Sequence, residues 1–257
     1  MAGFDPYDAL VPIFLSTDVP RRVHQIGSAV FVKLFGELFL ITAAHVIDEL
    51  QAGELLVPTE DGLSPIEGYM AHIDLPPEVD RSNDSIDIAY FRLSVDFGKE
   101  LSHHFTPLPQ NRTRIIESAF DLRVCSASGY PASKGRQNNQ IFSSEIFSFR
   151  GVAAGLESYN QFQLSPTLNI VLHFHKKRAV NPETFESFPG PSLKGISGGG
   201  IFAWPEGSEI SDDWTLPNLV GLVHTFKERE GLIIGTTLVP ILAAISLGQM
   251  KKFRNAP

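Results

Sequence analysis

The segment Gly195-Ile196-Ser197-Gly198-Gly199-Gly200 places one serine in a run of glycines. A serine hydroxyl is a weak nucleophile unless a base lies within hydrogen-bond reach and a third group orients that base. Glycine tolerates positive φ angles, which can turn main-chain N–H groups toward a substrate carbonyl. Ser197 is therefore a candidate nucleophile, and the N–H groups of Gly195 and Ser197 are candidate oxyanion donors. The alternative interpretation of the glycines is a flexible turn between strands.

The candidate general base is His45, at the end of Ile41-Thr42-Ala43-Ala44-His45. The apolar run Leu38–Ile41 predicts a buried strand directly before it. The small side chains of residues 42–44 would let the imidazole approach the other half of the protein. A packed or solvated histidine is the alternative interpretation. The remaining histidines have no comparable context; they are His24, His72, His103, His104, His173, His175 and His224.

The candidate orienting acid is Asp87, which directly precedes the apolar, strand-like segment Ile88–Leu93. An acid at the start of an apolar strand indicates a partner, because a buried unpaired charge is costly. Asp80 and Asp84 are rivals, but both lie in a polar stretch farther from the strand. A solvated acid at the start of the strand is the alternative.

Histidine, aspartate and serine thus follow one another in the order of one of the convergent Ser-His-Asp triads. The segments at 42–45, 87–89 and 195–199 resemble the histidine, aspartate and nucleophile motifs of the trypsin/chymotrypsin-like serine peptidase family. Gly200 departs from the family motif, in which a proline is usual at this position. The chain looks more similar to the disulfide-free bacterial members than to the animal digestive enzymes.

The resemblance implies an all-β fold of two packed six-stranded antiparallel β-barrels with a C-terminal helix. It places His45 and Asp87 in the first barrel, Ser197 in the second and the active site in the cleft between them. We expect an N-terminal arm at 1–23, the first barrel and a connector at 24–118, and the second barrel and helix at 119–257. The family uses no metal and no organic cofactor, so none is expected.

The resemblance also indicates which residues form the primary specificity pocket. Pro191, six residues before Ser197, takes the position at the base of that pocket, where an aspartate would favour arginine or lysine. His224, Thr225 and Phe226 follow an apolar strand and are expected to line the pocket. The bulk of Phe226 favours a small or medium apolar substrate side chain.

Composition excludes several other classes of protein. The net charge of −8 argues against nucleic acid as the main partner, and no apolar run approaches the about 18 residues of a membrane span. The single cysteine, Cys125, allows no intramolecular disulfide, and the N-terminal residues lack a secretory pattern. A cytoplasmic location is therefore expected. His173 and His175 could share a zinc ion, but no third ligand is evident.

The predicted function is a serine endopeptidase that cleaves protein or peptide substrates through an acyl-enzyme intermediate. Arg21-Arg22-Val23 offers a superficial activation cut, but the tether to the first strand is too short to reach Ser197. The enzyme is then active as made or controlled by an activating partner. Two alternatives stay open: a catalytically silent or partner-activated binding module, and an esterase or other acyl hydrolase on the same fold.

Overall fold

The structure, a computed structural model, describes residues 5–17, 23–72, 75, 80–138, 141–174, 192–204 and 216–254. Strands dominate this part of the chain. The first eight are β1 (Leu10–Ser16), β2 (Val23–Leu34), β3 (Glu37–Thr42), β4 (Glu54–Thr59), β5 (Gly62–Pro65), β6 (Gly68–His72), β7 (Ala89–Leu93) and β8 (Leu108–Pro109). The next eight are β9 (Val124–Gly129), β10 (Arg136–Asn138), β11 (Ile141–Ser143), β12 (Phe147–Ala153), β13 (Asn169–His173), β14 (Gly200–Ala203), β15 (Asn218–Lys227) and β16 (Leu232–Thr237).

In the described ranges, four α-helices connect or follow these strands. They are α1 (Ala44–Asp48), α2 (Val95–Leu101), α3 (Leu156–Phe162) and α4 (Leu238–Arg254). Helix α4 begins at the first residue after β16, and its residues Leu238, Ile241 and Ile245 are buried at i, i+3 and i+7. This spacing puts one apolar face of the helix against the core.

The first eight strands form one sheet in the order β5-β4-β1-β2-β3-β7-β6, with β8 paired to β2. The sheet is a half-barrel, because its edge strands β5 and β6 do not pair with each other in the described part of the chain. The two residues that join them bond elsewhere: Ile66 N–H donates to the Leu55 carbonyl, and the Glu67 carbonyl accepts from Ser94 N–H. The chain at the end of β5 therefore stays beside β4, and the chain before β6 stays beside the end of β7. The sheet is left open between β5 and β6.

Six of the remaining strands close into a barrel in the order β12-β13-β16-β15-β14-β9, and β10 and β11 form a separate two-stranded sheet. Strands β14 and β16 are buried at every residue, including the polar Thr236 and Thr237 of β16. Gly200 begins β14 and pairs with Leu222 on one side and Ser128 on the other. A Cβ at Gly200 would lie 2.4 Å from the Phe202 ring, so a side chain here would disturb the packing of that ring.

The predicted fold class is confirmed: the protein is mostly β, with a closed six-stranded barrel, a second sheet and a C-terminal helix. The first unit differs from the expected closed barrel in being open. Residues Leu10–Ser16, predicted as part of an N-terminal arm, form the strand between β4 and β2. No helix in the described ranges is long and apolar enough to cross a membrane.

Buried apolar side chains from both sheets and α4 form one shared core. This core includes Val30 and Tyr90 of the first sheet, Phe202 and Leu222 of the barrel, and Ile241 of α4. The burial of these apolar side chains stabilises the packing of the two units. This packing brings the end of β3, the start of β7 and the loop before β14 into one region.

Candidate active site

His45 and Asp87 form a hydrogen-bonded pair. Strand β3 ends at Thr42, and His45 lies in the first turn of α1 with its side chain 36% exposed. Its Nδ1 lies 2.6 Å from Oδ2 of Asp87, whose side chain is only 4% exposed. The buried acid thus holds one ring nitrogen, while the rest of the imidazole reaches solvent.

Asp87 also caps the helix that carries His45. The main-chain N–H of His45 donates to Asp87 Oδ1 at 2.9 Å, and the N–H of Ala44 donates to the Asp87 carbonyl at 3.3 Å. The residue at the N-cap position, Ala43, has no side chain that could accept these bonds. One aspartate therefore fixes both the imidazole and the backbone beneath it.

The electrostatics of the pair favour a charged aspartate. Burial by itself raises the pKa of Asp87, but the hydrogen bond and charge of His45, with a smaller contribution from His224, outweigh burial and leave the pKa below its usual value. An ionised carboxylate can only accept hydrogen bonds. In the neutral form of His45 the ring proton is then on Nδ1, which leaves Nε2 as the acceptor that a general base needs.

Asp87 has a φ of 30°, which is rare for a residue with a side chain. Bonds from both sides hold its loop. Arg81 bridges Asp48 of α1 at 2.9 Å and Asp84 of the loop at 3.0 Å. From the barrel, Asn169 donates to the Ser85 carbonyl and Thr236 to the Ile86 carbonyl. These bonds let the structure maintain a backbone conformation that costs energy.

Ser197 lies in the turn that precedes β14, and its hydroxyl donates to the His224 carbonyl at 3.2 Å. No hydrogen bond joins Ser197 to His45 within the described residues. The two segments approach each other at Gly27, where a Cβ would lie 2.8 Å from both γ carbons of Val46 and 3.4 Å from the Ser197 carbonyl. The absence of a side chain at Gly27 allows α1 and the serine turn to come together.

The N–H of Gly195 has no hydrogen-bond acceptor among the described residues. The carbonyl of the same peptide unit, that of Lys194, accepts from Ala132 N–H at 2.7 Å. All peptide bonds here are trans, so the N–H of a peptide unit points away from its carbonyl. The Gly195 N–H is therefore directed away from Ala132.

The N–H of Ser197 is arranged in the same way. The Ile196 carbonyl, which shares its peptide unit, accepts from Gly199 N–H at 2.8 Å. In the described part of the chain, nothing accepts a hydrogen bond from the Ser197 N–H. Two unsatisfied N–H groups beside a serine hydroxyl are the kind of donors that can hold an anionic oxygen.

His224 is buried at 5% exposure beside the His45–Asp87 pair. Its Nδ1 bonds Thr225 Oγ1 at 2.9 Å, and its Nε2 is buried without a hydrogen-bond partner in the described residues. Burial lowers the pKa of His224 to about 4, although the charge of Asp87 raises it. The ring is therefore neutral near pH 7.

The residues predicted to line a specificity pocket fall into three groups. Thr225 and Phe226 are half-buried, and the ring of Phe226 packs edge-on against Phe174 at 5.6 Å. His224 faces the buried acid and meets Ser197 through its carbonyl. Pro191 lies outside the described residues, as does His175 of the histidine pair.

Several site residues were missed from the sequence. Arg81 follows Asp80 in a polar stretch that resembles any solvated loop. Ser28 begins a predicted strand, but its hydroxyl donates to the Gly195 carbonyl, 167 residues away. Only the pair Gly27-Ser28 before an apolar run could have drawn attention to this position.

Comparison with known proteins places this geometry on a known fold. No family model matches the chain, and no curated protein matches it. The structure is similar to that of the thermostable serine protease AL20 from an extremophilic microorganism, with a TM-score of 0.51 and 17% identity over 91% of each chain. It is also similar to a chain solved in work on the disordered VPg protein of Sesbania mosaic virus, with a TM-score of 0.50 and 15% identity over 90% of this chain and 86% of that one.

A further similar structure is the apo protease domain of MamO from Magnetospirillum magneticum, with a TM-score of 0.48 and 13% identity over 93% of this chain and 97% of that one. At these identities the likeness shows the fold alone. The fold is that of chymotrypsin-like serine proteases, and any activity has to be argued from the site.

Proposed function

We propose that the protein is a serine endopeptidase with His45, Asp87 and Ser197 as its catalytic residues. The observation that carries the proposal is the His45–Asp87 pair at 2.6 Å, in a fold shared with serine proteases. The buried carboxylate leaves Nε2 of His45 as an acceptor, and the serine turn meets the same helix at Gly27. The unpartnered N–H groups of Gly195 and Ser197 supply the further element that acyl transfer requires.

The proposed reaction has two steps. Ser197 Oγ attacks the substrate carbonyl carbon while His45 Nε2 takes the hydroxyl proton, and the carbonyl oxygen becomes an oxyanion held by the two N–H groups. His45 then gives the proton to the leaving amine as the C–N bond breaks. Water hydrolyses the resulting acyl-enzyme with His45 again acting as base.

An extended peptide fits the strand beside the serine. Strand β14 pairs with β15 only as far as Leu222. Beyond that point Thr225, Phe226 and Lys227 pair with β16 on one side and with no described strand on the other. A substrate that adds a strand to this edge would gain main-chain hydrogen bonds independent of its sequence. This edge favours proteins or peptides over small esters.

The pocket next to this edge favours small or medium apolar side chains. We propose that the ring of Phe226, which stands on β15 and packs against Phe174, narrows the space that a substrate side chain enters. Digestion of a peptide library should give cleavage after residues such as alanine or valine. Major products ending in arginine or lysine would contradict this preference.

The proposal is tested by assaying proteolysis with purified variants. Wild-type protein should cleave a peptide library, and Ser197→Ala and His45→Ala should each lose about 10³-fold or more of the rate. Simple esters assayed in parallel separate a peptidase from an esterase. Hydrolysis of esters alone would overturn the peptidase assignment. Variants Ser197→Ala or His45→Ala that cleave at the wild-type rate would overturn the catalytic roles of these residues.

One observation favours a partner-activated form as the second candidate. The Ser197 hydroxyl donates to the His224 carbonyl, so the serine must turn toward His45 before attack. A substrate or an activating partner could drive this rotation. The partner-activated form predicts an activity that is absent in the isolated chain and appears when a cell extract is added.

A further inference from the structure

We infer that Ser28 is a positioning residue that holds the nucleophile turn, defined as residues 193–199, in its reactive conformation. The inference rests on the proposed function, but the contacts behind it are a separate observation. Ser28 belongs to β2 of the first sheet and is completely buried. The nucleophile turn precedes β14 of the barrel, so Ser28 acts on it from the opposite sheet.

The Ser28 hydroxyl bridges two main-chain groups of the barrel. Its Oγ accepts from Tyr130 N–H at 2.8 Å and donates to the Gly195 carbonyl at 2.9 Å. The main-chain N–H can only donate, so the single hydroxyl proton is committed to the Gly195 carbonyl. The bridge therefore has one direction, and an alanine would remove both of its bonds.

The bridge holds the second of the two peptide units that flank Gly195, together with the Ile196 N–H of the same unit, which donates to the Leu193 carbonyl at 3.2 Å. Ala132 N–H holds the preceding unit through the Lys194 carbonyl at 2.7 Å, and Ser28 holds the following one. Gly195 has a φ of 94° between these anchors. Glycine crosses between backbone conformations easily, so without the anchors the Gly195 N–H would lose its fixed direction. With both anchors in place, the proposed oxyanion donor is already oriented before substrate arrives.

The main chain of Ser28 is hydrogen-bonded to the candidate nucleophile residue itself. Its N–H donates to the Ser197 carbonyl at 2.8 Å, so one residue bonds the carbonyls of both Gly195 and Ser197. The close fit depends on glycine, because a Cβ at Gly198 would lie 2.0 Å from the Ser28 carbonyl, and one at Gly129 would lie 2.9 Å from its hydroxyl. Loss of the Ser28 hydroxyl would remove one hydrogen bond from the Gly195 carbonyl and one from the Tyr130 N–H.

The experiment compares Ser28→Ala with a matched control, Ser128→Ala. Ser128 is also completely buried, and its hydroxyl donates to Ser148 Oγ at 2.8 Å; among the described residues, this hydroxyl makes no hydrogen bond to the nucleophile turn. The saturable reaction of each protein with a fluorophosphonate gives a maximal labelling rate and an apparent affinity. Ser28→Ala should lower the maximal rate about 10- to 100-fold, less than the loss of an oxyanion donor itself. The apparent affinity of Ser28→Ala should stay within about threefold of the wild-type value. The midpoint of its pH–rate profile should stay within about 0.3 pH units of that of wild type, since the substitution leaves His45 in place.

A second measurement follows the turn without using its chemistry. Lys194 is exposed at the start of the Gly195 peptide, so trypsin can report whether the turn opens. In a Ser197→Ala background, Ser28→Ala should speed trypsin cleavage after Lys194 about 10-fold, and Ser128→Ala should not. Cleavage at other lysines serves as the measure of general unfolding.

The results separate failure of this inference from failure of the proposed function. If wild-type protein takes no label but cleavage after Lys194 depends on Ser28, the peptidase proposal fails and the role of Ser28 in holding the turn is supported. If Ser28→Ala labels at the wild-type rate, or if Ser128→Ala slows labelling as much, the inference is overturned. Unchanged cleavage after Lys194 would also overturn it.

Discussion

At the scale of single residues, Asp87 combines functions that are usually divided among several side chains. It accepts from the His45 ring, caps the main chain of α1 and has a φ of 30°. A non-glycine residue in this region costs on the order of 1–3 kcal/mol. The bonds of Arg81, Asn169 and Thr236 to neighbouring residues compensate for that cost by fixing the loop to α1 and to the barrel.

The substitution Asp87→Asn separates the structural from the chemical role of this residue. The amide oxygen can still accept from the main-chain N–H of His45, so the cap of α1 is kept. The melting temperature should therefore fall by only a few degrees. The amide –NH₂ donates to Nδ1 and reverses the imidazole tautomer, which puts the proton on Nε2. We expect the rate of labelling by a fluorophosphonate to fall about 10³- to 10⁴-fold.

Asp84→Asn is the matched control for this substitution. Asp84 is the rival acid of the same loop and bonds Arg81 rather than His45. Its substitution should change the labelling rate less than about 10-fold. A larger loss at Asp84 than at Asp87 would show that the orienting acid has been misassigned.

At the scale of structural elements, the nucleophile turn depends on the absence of a side chain at Gly198. Gly198 has a φ of 84°, and a Cβ there would lie 2.0 Å from the Ser28 carbonyl and 2.2 Å from Thr42 Oγ1. Gly36, in the turn between β2 and β3, has a nearly identical φ of 83° but open space around it. Both glycines therefore have a positive φ angle, but only Gly198 lacks space for a side chain.

Alanine at these two glycines should therefore give different results. Gly36→Ala should cost about 1–2 kcal/mol through backbone strain alone and leave the labelling rate intact. Gly198→Ala adds a steric clash, so it should lower the free energy of unfolding further and reduce labelling at least 100-fold. Denaturant unfolding and labelling of both variants provide the measurement. If the two variants had the same free energy of unfolding and the same labelling rate, the surroundings of Gly198 would have room for a methyl group.

At the scale of the whole molecule, the barrel and the half-barrel sheet meet around groups that must be uncharged or paired. His224 is the clearest case, because burial lowers its pKa from 6.5 to about 4. Between these pH values the unfolded chain binds a proton that the folded protein excludes. Stability should therefore fall as the pH drops from about 6.5 to about 4, with a slope of up to about 1.4 kcal/mol per pH unit from this group.

Replacement of His224 by glutamine removes this titration. The free energy of unfolding of His224→Gln should decline less steeply than that of wild type between pH 6.5 and pH 4. Urea unfolding at half-unit pH intervals measures both slopes. Parallel curves for the two proteins would mean that His224 is protonated in the folded state or accessible to solvent.

Much of this arrangement could be predicted from local sequence. The apolar runs before His45 and after Asp87 correspond to β3 and β7, and the glycines around Ser197 correspond to a turn with positive φ. The open first sheet could not be predicted, since it depends on the hydrogen bonds of Ile66 and Glu67. The anchoring by Ser28 and Arg81 was also hidden, because long-range hydrogen bonds leave no periodic pattern in a sequence.

The central claim is that Ser197 is an activated nucleophile, and intact-mass measurement after fluorophosphonate treatment tests it most directly. We expect one adduct on wild-type protein, none on Ser197→Ala, and strongly slowed labelling of His45→Ala. A wild-type protein that stays unlabelled, or an adduct that persists in Ser197→Ala, would contradict it.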